Sequence, residues 1–464
     1  MGRIQLLRKI ALSSIAFGLV STPCVADDGV RAEETSETAW HGADSDMPRP
    51  ASWLPGWLVR TASTIPSSRY LGDDMGDLPR SSIVIASPAA DLDVPGPLTE
   101  ITVSGYVKGD VILDFDHDLG DEFDYNELTA GTKHTHTRMH ARQSRLRVSS
   151  KTDTAVGQVR TLIEGDFFAN TSSNPFSAPS RDMLLQLRHA WGEWEILPGT
   201  IFGAGQYWRN FKSTFSGIPT VDYRGPAGEL DKTRNAQVRL TNITGPIEFA
   251  ISAEEIALAD RANIPDFTAR LQYSLPGGSA FMLSGVTRYF RSQPDLLIEQ
   301  RRLGWGGQIA ANIDLGGYAV FTASAMAGEG LGDYLQGGGA GAWQKETGEI
   351  RLIPAYGLFG GLRFNLSDTT NLNLGVGYAK TNGKAVQRQV EYDHSVGRTQ
   401  GLYNRQVTSL HANVMWEPLD QVRFGWEVIW AQRKYWDAGP TPGSVPAQHS
   451  ASNVRTQFGA WFFF

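Results

Sequence analysis

Residues 452–464 read SNVRTQFGAWFFF. Val454, Thr456, Phe458, Ala460, Phe462 and Phe464 share one parity, while Arg455, Gln457 and Gly459 share the other. In a strand that parity places the two sets on opposite faces. An exposed, aromatic edge at the end of a soluble chain would invite aggregation. The pattern makes sense if the strand pairs with a first strand, so that the sheet closes, and if the aromatic face meets lipid.

The rest of the chain fits a closed sheet. It has 464 residues, of which 41% are hydrophobic, and a mean hydropathy of −0.26. After the leader no stretch approaches the ~18 consecutive apolar residues of a spanning helix. A formal net charge of −7 argues against nucleic acid as a partner. The single cysteine, Cys24, lies in the first 26 residues. There Arg3, Arg8 and Lys9 precede an apolar run, Ile10 to Val20, and small residues end at Ala26. This is the pattern of a secretory signal peptide, 1–26, and its removal would leave no thiol. Residues 27–99 are rich in Pro, Ser, Asp and Glu and are expected to form an irregular periplasmic segment without sustained heptads.

From residue 100 to 464 the pattern changes. Segments of about ten alternating residues recur, joined in turn by short and long connections. The short ones carry turn chemistry: Lys151–Thr154, Leu197–Gly199, Asn242–Gly245, Pro276–Gly278, Leu315–Gly317, Ser367–Thr369 and Glu417–Asp420. Strands are expected at 101–115, 138–151, 156–168, 183–195, 200–211, 233–241, 246–255, 266–275, 279–291, 302–314, 318–327, 351–364, 370–380, 403–416, 421–435 and 452–464. The fold class is therefore all-β, a 16-stranded antiparallel transmembrane barrel. An even strand number puts both ends on the short-turn, periplasmic side, and sixteen strands leave an aqueous lumen.

Parity assigns the faces. Arg145, Arg147, Arg160, Arg188, Arg239, Arg270, Arg423 and Arg455 point inward, as do Glu164, Asp166 and Glu427. Guanidinium rings around a pore favour anions; alternatively these arginines strut the wall by pairing with the inward carboxylates. The connection after the fifth strand, Phe211 to Pro226, mixes apolar residues with Asp222, Tyr223 and Arg224. Folding inward would bury the apolar groups and narrow the pore. Much of the acidity lies in the first long loop, at Asp116, Asp118, Asp121, Glu122, Asp124 and Glu127, read as solvated.

Gly205-Gln206-Tyr207-Trp208-x-x-Phe211, Pro219-x-x-Asp222-Tyr223-x-Gly225-Pro226 and Arg234-x-x-Gln237-x-Arg239, with Ser144-Arg145-Leu146 and Arg188-His189-Ala190-Trp191, resemble the DcaP-like outer-membrane porins. The resemblance runs from about Ile101 to Phe464. It implies a homotrimer in the Gram-negative outer membrane, among lipid and lipopolysaccharide, importing small anionic solutes, dicarboxylates in particular. Arg145, Arg147, Arg188 and Arg239 stand at the matching positions. A chain ending in phenylalanine also resembles barrels whose last strand is read by the barrel-assembly machinery. The N-terminal coiled coil of the family has no counterpart in residues 27–99.

No cofactor, metal or catalytic group is expected. His134, His136 and His140 could meet a transition metal, but they lie at the end of a loop without a fixed further ligand. Gly337–Gly341 reads as a flexible loop, because no phosphate-cradle motif surrounds it. Trp426, Trp430, Tyr435 and Trp436 are read as an interfacial girdle. A non-conducting structural or adhesive barrel is the alternative class. A lipid-hydrolysing barrel enzyme is a further one, and would require an outward His such as His189 near an outward Ser such as Ser144 or Ser150.

Overall fold

The structure is a computed structural model that describes residues 59–62, 82–86, 99–169, 184–212, 217–229, 234–255, 264–293, 296–398, 401–438 and 446–464. The expected signal peptide and its cleavage point lie outside the described residues. In chain order the strands are β1 (Val59–Ala62), β2 (Ser82–Ala86), β3 (Thr99–Asp114), β4 (His136–His140), β5 (Arg145–Thr154), β6 (Gly157–Ala169), β7 (Leu184–Leu197), β8 (Thr200–Trp208), β9 (Arg234–Thr244), β10 (Ile247–Glu254) and β11 (Asp266–Ser274). They continue as β12 (Ala280–Arg291), β13 (Arg301–Asp314), β14 (Ala319–Glu329), β15 (Ala342–Gln344), β16 (Ile350–Leu352), β17 (Pro354–Ser367), β18 (Thr370–Thr381), β19 (Leu402–Leu419), β20 (Val422–Asp437) and β21 (Ala447–Phe463). One helix, α1 (Gly383–Ser395), lies between β18 and β19.

β4 and β5 both pair with β3 and act as one wall strand, interrupted at 141–144. With that pair counted once, and β1, β2, β15 and β16 set aside, sixteen antiparallel strands follow one another around the wall. The sheet closes where β21 meets β3, in a register from Arg455 opposite Asp114 to Phe463 opposite Tyr106. Closure satisfies the backbone of both end strands, which a bilayer requires. The last residue takes part: the N–H of Gly105 donates to the Phe464 carbonyl and the N–H of Phe464 donates to Gly105, both at 3.1 Å. Gly105 also has a steric role. A Cβ there would lie 2.3 Å from the Arg145 carbonyl and 2.7 Å from the Phe464 ring.

A short turn joins each of the seven expected strand pairs, but the first falls at 155–156, because Lys151–Thr154 continues β5, and the last at 420–421, because β19 runs to Leu419. Pro198–Gly199, with Gly199 at φ +76°, has the residue pair a type II turn asks for. Two short strands fall in the region read as irregular. β2 pairs with β1 and with Glu100–Val103 of β3, beyond the stretch of β3 that β21 covers.

The outer face carries the large apolar side chains, among them Leu146, Ile163, Phe249, Leu271, Ile309, Leu358, Trp426 and Phe462. The inner face is polar, but loops fill part of the interior. The first long loop packs Leu119, Phe123, Tyr125 and Leu128 against Val407, Ile429, Ala431 and Tyr435 of the wall. This corrects the expectation of a solvated acidic loop: its apolar residues gain more by burial than its acids lose, because the acids find partners. Arg138 bonds Asp118, Arg142 pairs with Asp121, and Arg224 bonds Glu122 at 2.7 Å. Gly337–Gly341, read as a flexible loop, is half-buried, with Ala340 exposed, and follows a segment that packs inward. Leu331, Tyr334 and Leu335 of the same loop join Phe211, Val286, Met326 and Ala355 in a second buried cluster. Two expected girdle residues are placed otherwise: Tyr435 faces inward, buried in the first cluster, and Trp436 packs against Ile353, Val386, Val390 and Ala438 beneath α1.

Gly105→Leu should weaken closure by about 1–3 kcal/mol. The readout is the temperature at which the barrel loses its compact migration on a semi-native gel, which should fall relative to the parent chain.

Candidate functional site

The connection between β8 and β9 crosses the interior and lies along the far wall. Its hold begins with Glu427 on β20. One carboxylate oxygen accepts the N–H groups of both Val221 and Asp222, at 2.5 and 2.8 Å. The other lies 3.1 Å from His411 Nδ1. On the opposite side of the peptide, the Val221 carbonyl accepts Lys108 Nζ at 2.6 Å. Lys108 also pairs with Asp110 and sits 4.3 Å from the Trp461 ring. Asn413 donates to the Pro219 carbonyl, and Ser409 Oγ accepts the Ala227 N–H.

The wall is shaped for this contact by glycine. A Cβ at Gly361 or Gly375 would meet Ile218, one at Gly425 or Gly459 would meet Val221, and one at Gly377 would lie 2.1 Å from the Ala227 carbonyl. Alternate inward positions on β17, β18, β20 and β21 are therefore empty of side chains where the loop lies. A backbone approaching a wall this closely needs glycine there.

From Asp222 the loop reaches back across a chord of the barrel. Tyr223 stacks on Phe168 with ring centroids 4.1 Å apart. Its hydroxyl accepts Arg188 Nη1 at 2.7 Å and donates to Asp166 Oδ2 at 3.2 Å. Arg188 Nε donates to Glu164 at 2.7 Å.

The eight sequence-predicted arginines separate into two groups. Most pair within the wall. Arg160 bonds Glu193 at 2.8 Å, Arg188 bonds Glu164 and Asp166, and Arg423 bonds Glu417 at 2.9 Å. Arg145 lies 3.6 Å from Glu164, and Arg147 faces inward and is buried. Arg455 is fully buried and holds Asp114 at 2.8 Å, Asp222 at 3.0 Å and the Gly120 carbonyl. It is a joint between the closing strands and two inward loops, so the strut reading describes it better than the pore-lining one. Asp222 and Arg224 likewise hold loops: Asp222 accepts the Phe123 N–H as well as Arg455, and Arg224 binds Glu122.

Arg239 lines open space, and Arg270 borders the same space with only 4% of its surface exposed. A cavity of about 560 Å³ runs along β7 to β13. Trp191, Tyr207 and Trp208 border it, together with four cations, Arg209, Lys212, Arg239 and Arg270, against two carboxylates, Glu193 and Glu248. Arg270 pairs with Glu248. Arg239 bonds the Gln237 amide oxygen and sits 5.6–5.7 Å from the Trp191 and Tyr207 rings. Arg209 lies 4.0 Å from the Tyr334 ring and Lys212 3.8 Å from the Trp208 ring. Arg209 and Lys212 were not singled out from the sequence. They fall where the strand runs into the loop, and parity stops being informative there. A second cavity, about 480 Å³, opens on the long-loop side between Asn126, Arg224, Asp333, Gln336 and Tyr403.

His189 corrects the parity reading. The register slips between Glu164–His189 and Gly165–Leu187, so Arg188 and His189 form a bulge. His189 is buried and its ring lies 4.6 Å from Tyr207 and 5.4 Å from Trp208. The outward histidine that a lipid-hydrolysing site would need is therefore absent at this position.

Two loop carboxyls carry a pH dependence. Burial would raise Asp118 and Asp121, but the bonds from Arg138 and Arg142 outweigh it and hold both below the usual carboxylate range. A depressed folded-state value means their contribution is complete above the unfolded carboxylate range, near ~4, and is lost as pH falls through the lower folded values. Limited proteolysis of the first long loop should therefore accelerate only well below pH ~4. Arg455→Ala should lower stability to denaturant by about 3–5 kcal/mol, because it strands Asp114 and Asp222 in the interior.

A family model described as a porin subfamily matches residues 93–457. No curated protein matches the chain. Among solved structures, the outer membrane channel DcaP of Acinetobacter baumannii aligns with a TM-score of 0.65 at 19% identity, over 79% of this chain and 97% of that one. The anion-selective porin from Comamonas acidovorans aligns with a TM-score of 0.54 at 10% identity, over 79% and 100%. OmpT of Vibrio cholerae aligns at 0.50 and 11%, over 79% and 98%. The chain belongs to the porin subfamily, as a sixteen-stranded porin of the Gram-negative outer membrane with the fold of the DcaP-like channels.

Proposed function

We propose that this porin passes small hydrophilic anions, carboxylates and dicarboxylates in particular, by passive diffusion down their gradient. The observation that carries this reading is the cavity along β7 to β13, with four cations against two carboxylates. Arginine and lysine there lower the energy of a carboxylate and raise that of a metal cation, as charged rings do in other pores. Trp191 and Tyr207 lie against Arg239 and Trp208 against Lys212, which keeps those two charges beside the path. The loop from Phe211 to Pro226 narrows the lumen by filling the far side with Val221 to Tyr223. No nucleotide, metal or covalent step enters the passage.

We further propose a homotrimer. The outward face of β3 to β8 carries Gly109, Ser150, Thr161, Ala190, Gly192 and Ala204 at positions where other strands carry large apolar residues. Ser150 and Thr161 spend their hydroxyls on each other, 2.6 Å apart. A flat, small-residue wall lets a neighbouring barrel approach closely, whereas lipid is better met by large side chains.

The test is a planar bilayer under a KCl gradient. The expected trace has three coupled conductance steps and a reversal potential of the anion-selective sign. Arg239→Ala with Lys212→Ala should move that potential towards zero or beyond by removing half of the cations on the cavity wall. A cation-selective parent trace would sink the anion reading, and absence of conductance from a folded barrel would sink the open channel.

A further inference from the structure

The outward face of β18 to β21 changes character at its long-loop end. The register sets Tyr356, Lys380, Gln406, Lys434 and Ser450 side by side across five strands. The two lysines are two strands apart, about 10 Å. Arg405, at a register irregularity between Asn404 and Gln406, extends over β20 to bond the outward Gln448. Three cations thus share one patch of outer wall. Among the described residues none of them has a carboxylate partner within ion-pair distance.

That arrangement is not general to the rim. Arg291 and Arg301, on adjacent β12 and β13, also lie at the long-loop end. They share Glu299, at 3.0 and 3.3 Å. Three cations without a counter-charge repel one another, and an anion from outside the chain would relieve that cost.

Directly below, towards the bilayer, the same strands present Tyr378, Thr408 and Gln432, and then an apolar row of Val376, Leu410 and Trp430. From Lys380 to Val376 is four residues, about 13 Å. The wall therefore offers charge, then hydrogen bonds, then hydrocarbon, in the order in which an anionic amphiphile presents phosphate, sugar and acyl chains.

We propose that this patch, centred on Lys380, Arg405 and Lys434, binds the phosphorylated glycolipid of the outer leaflet through its headgroup phosphates. The cations take the phosphates by charge-assisted hydrogen bonds. Gln406 and Thr408 face the sugar, and the row containing Trp430 faces the first methylenes. The inference depends on the placement of the barrel in the outer membrane and not on what passes through its lumen.

The test measures equilibrium binding of fluorescently labelled bisphosphorylated lipid A to the full-length protein in mixed detergent micelles. The Lys380→Gln, Arg405→Gln, Lys434→Gln variant should bind at least ~10-fold more weakly, since each cation near such a surface contributes appreciably. Lipid A stripped of its phosphates should bind parent and variant alike. Arg291→Gln with Arg301→Gln should leave affinity within about two-fold, and the triple variant should keep the parent's reversal potential. Unchanged binding by the triple variant would overturn the proposal. So would an equal loss in the Arg291 and Arg301 variant, which would mean a diffuse charge effect. Competition by inorganic phosphate at lipid concentrations would overturn the lipid surface in favour of a free-anion site. If the triple variant fails to fold, the exposed Lys434→Gln alone should still weaken binding measurably, and parent-like binding by it would count against the proposal.

Discussion

Glu427 holds two consecutive backbone N–H groups of a loop that begins on the other side of the barrel. Much of the interior follows from that hold. A peptide segment inside a barrel has to satisfy its own donors, and a buried carboxylate has to be compensated. Here each requirement meets the other. The Val221 carbonyl is satisfied by Lys108, and Asp222 is compensated by Arg455 and by the Phe123 N–H. The first long loop is thereby fixed through the β8–β9 connection, with Tyr125 donating to the Gly225 carbonyl.

The consequence is an asymmetric interior. The walls of β17 to β21 and β3 are covered by two loops, one of which, the β8–β9 connection, lies against inward glycines. Part of the wall of β7 to β13 is left uncovered, and the 560 Å³ cavity lies there. Selectivity in such a barrel is set less by the total of inward arginines than by which of them the loops leave uncovered. Arg455 and Arg239 are alike in parity and residue type. One is a fully buried joint, the other a lining residue.

The outer wall is asymmetric as well. Small residues gather on β3 to β8, large apolar ones cover most other strands, and uncompensated cations collect at one end of β18 to β20. A pore-forming unit thus has three different exteriors, suited to protein, hydrocarbon and anionic headgroup. None of these depends on the geometry of the lumen, so each can change without disturbing passage.

Strand number, turns, closure and the face of nearly every wall residue were legible in the sequence, because a strand's side chains alternate strictly and a bilayer penalises every exception. Where alternation breaks, the reading failed. At His189 a one-residue bulge turned an outward position inward, and at Arg209 and Lys212 the strand had already become loop. The position of the loops was decided only in three dimensions. Leu119, Phe123 and Tyr125 look like any residues of an acidic loop until the glycines of distant strands leave room for a neighbouring loop to hold them. Likewise, an arginine's parity says that it faces in, but whether it binds solute or its own wall depends on which carboxylates the register brings within about 3 Å of it.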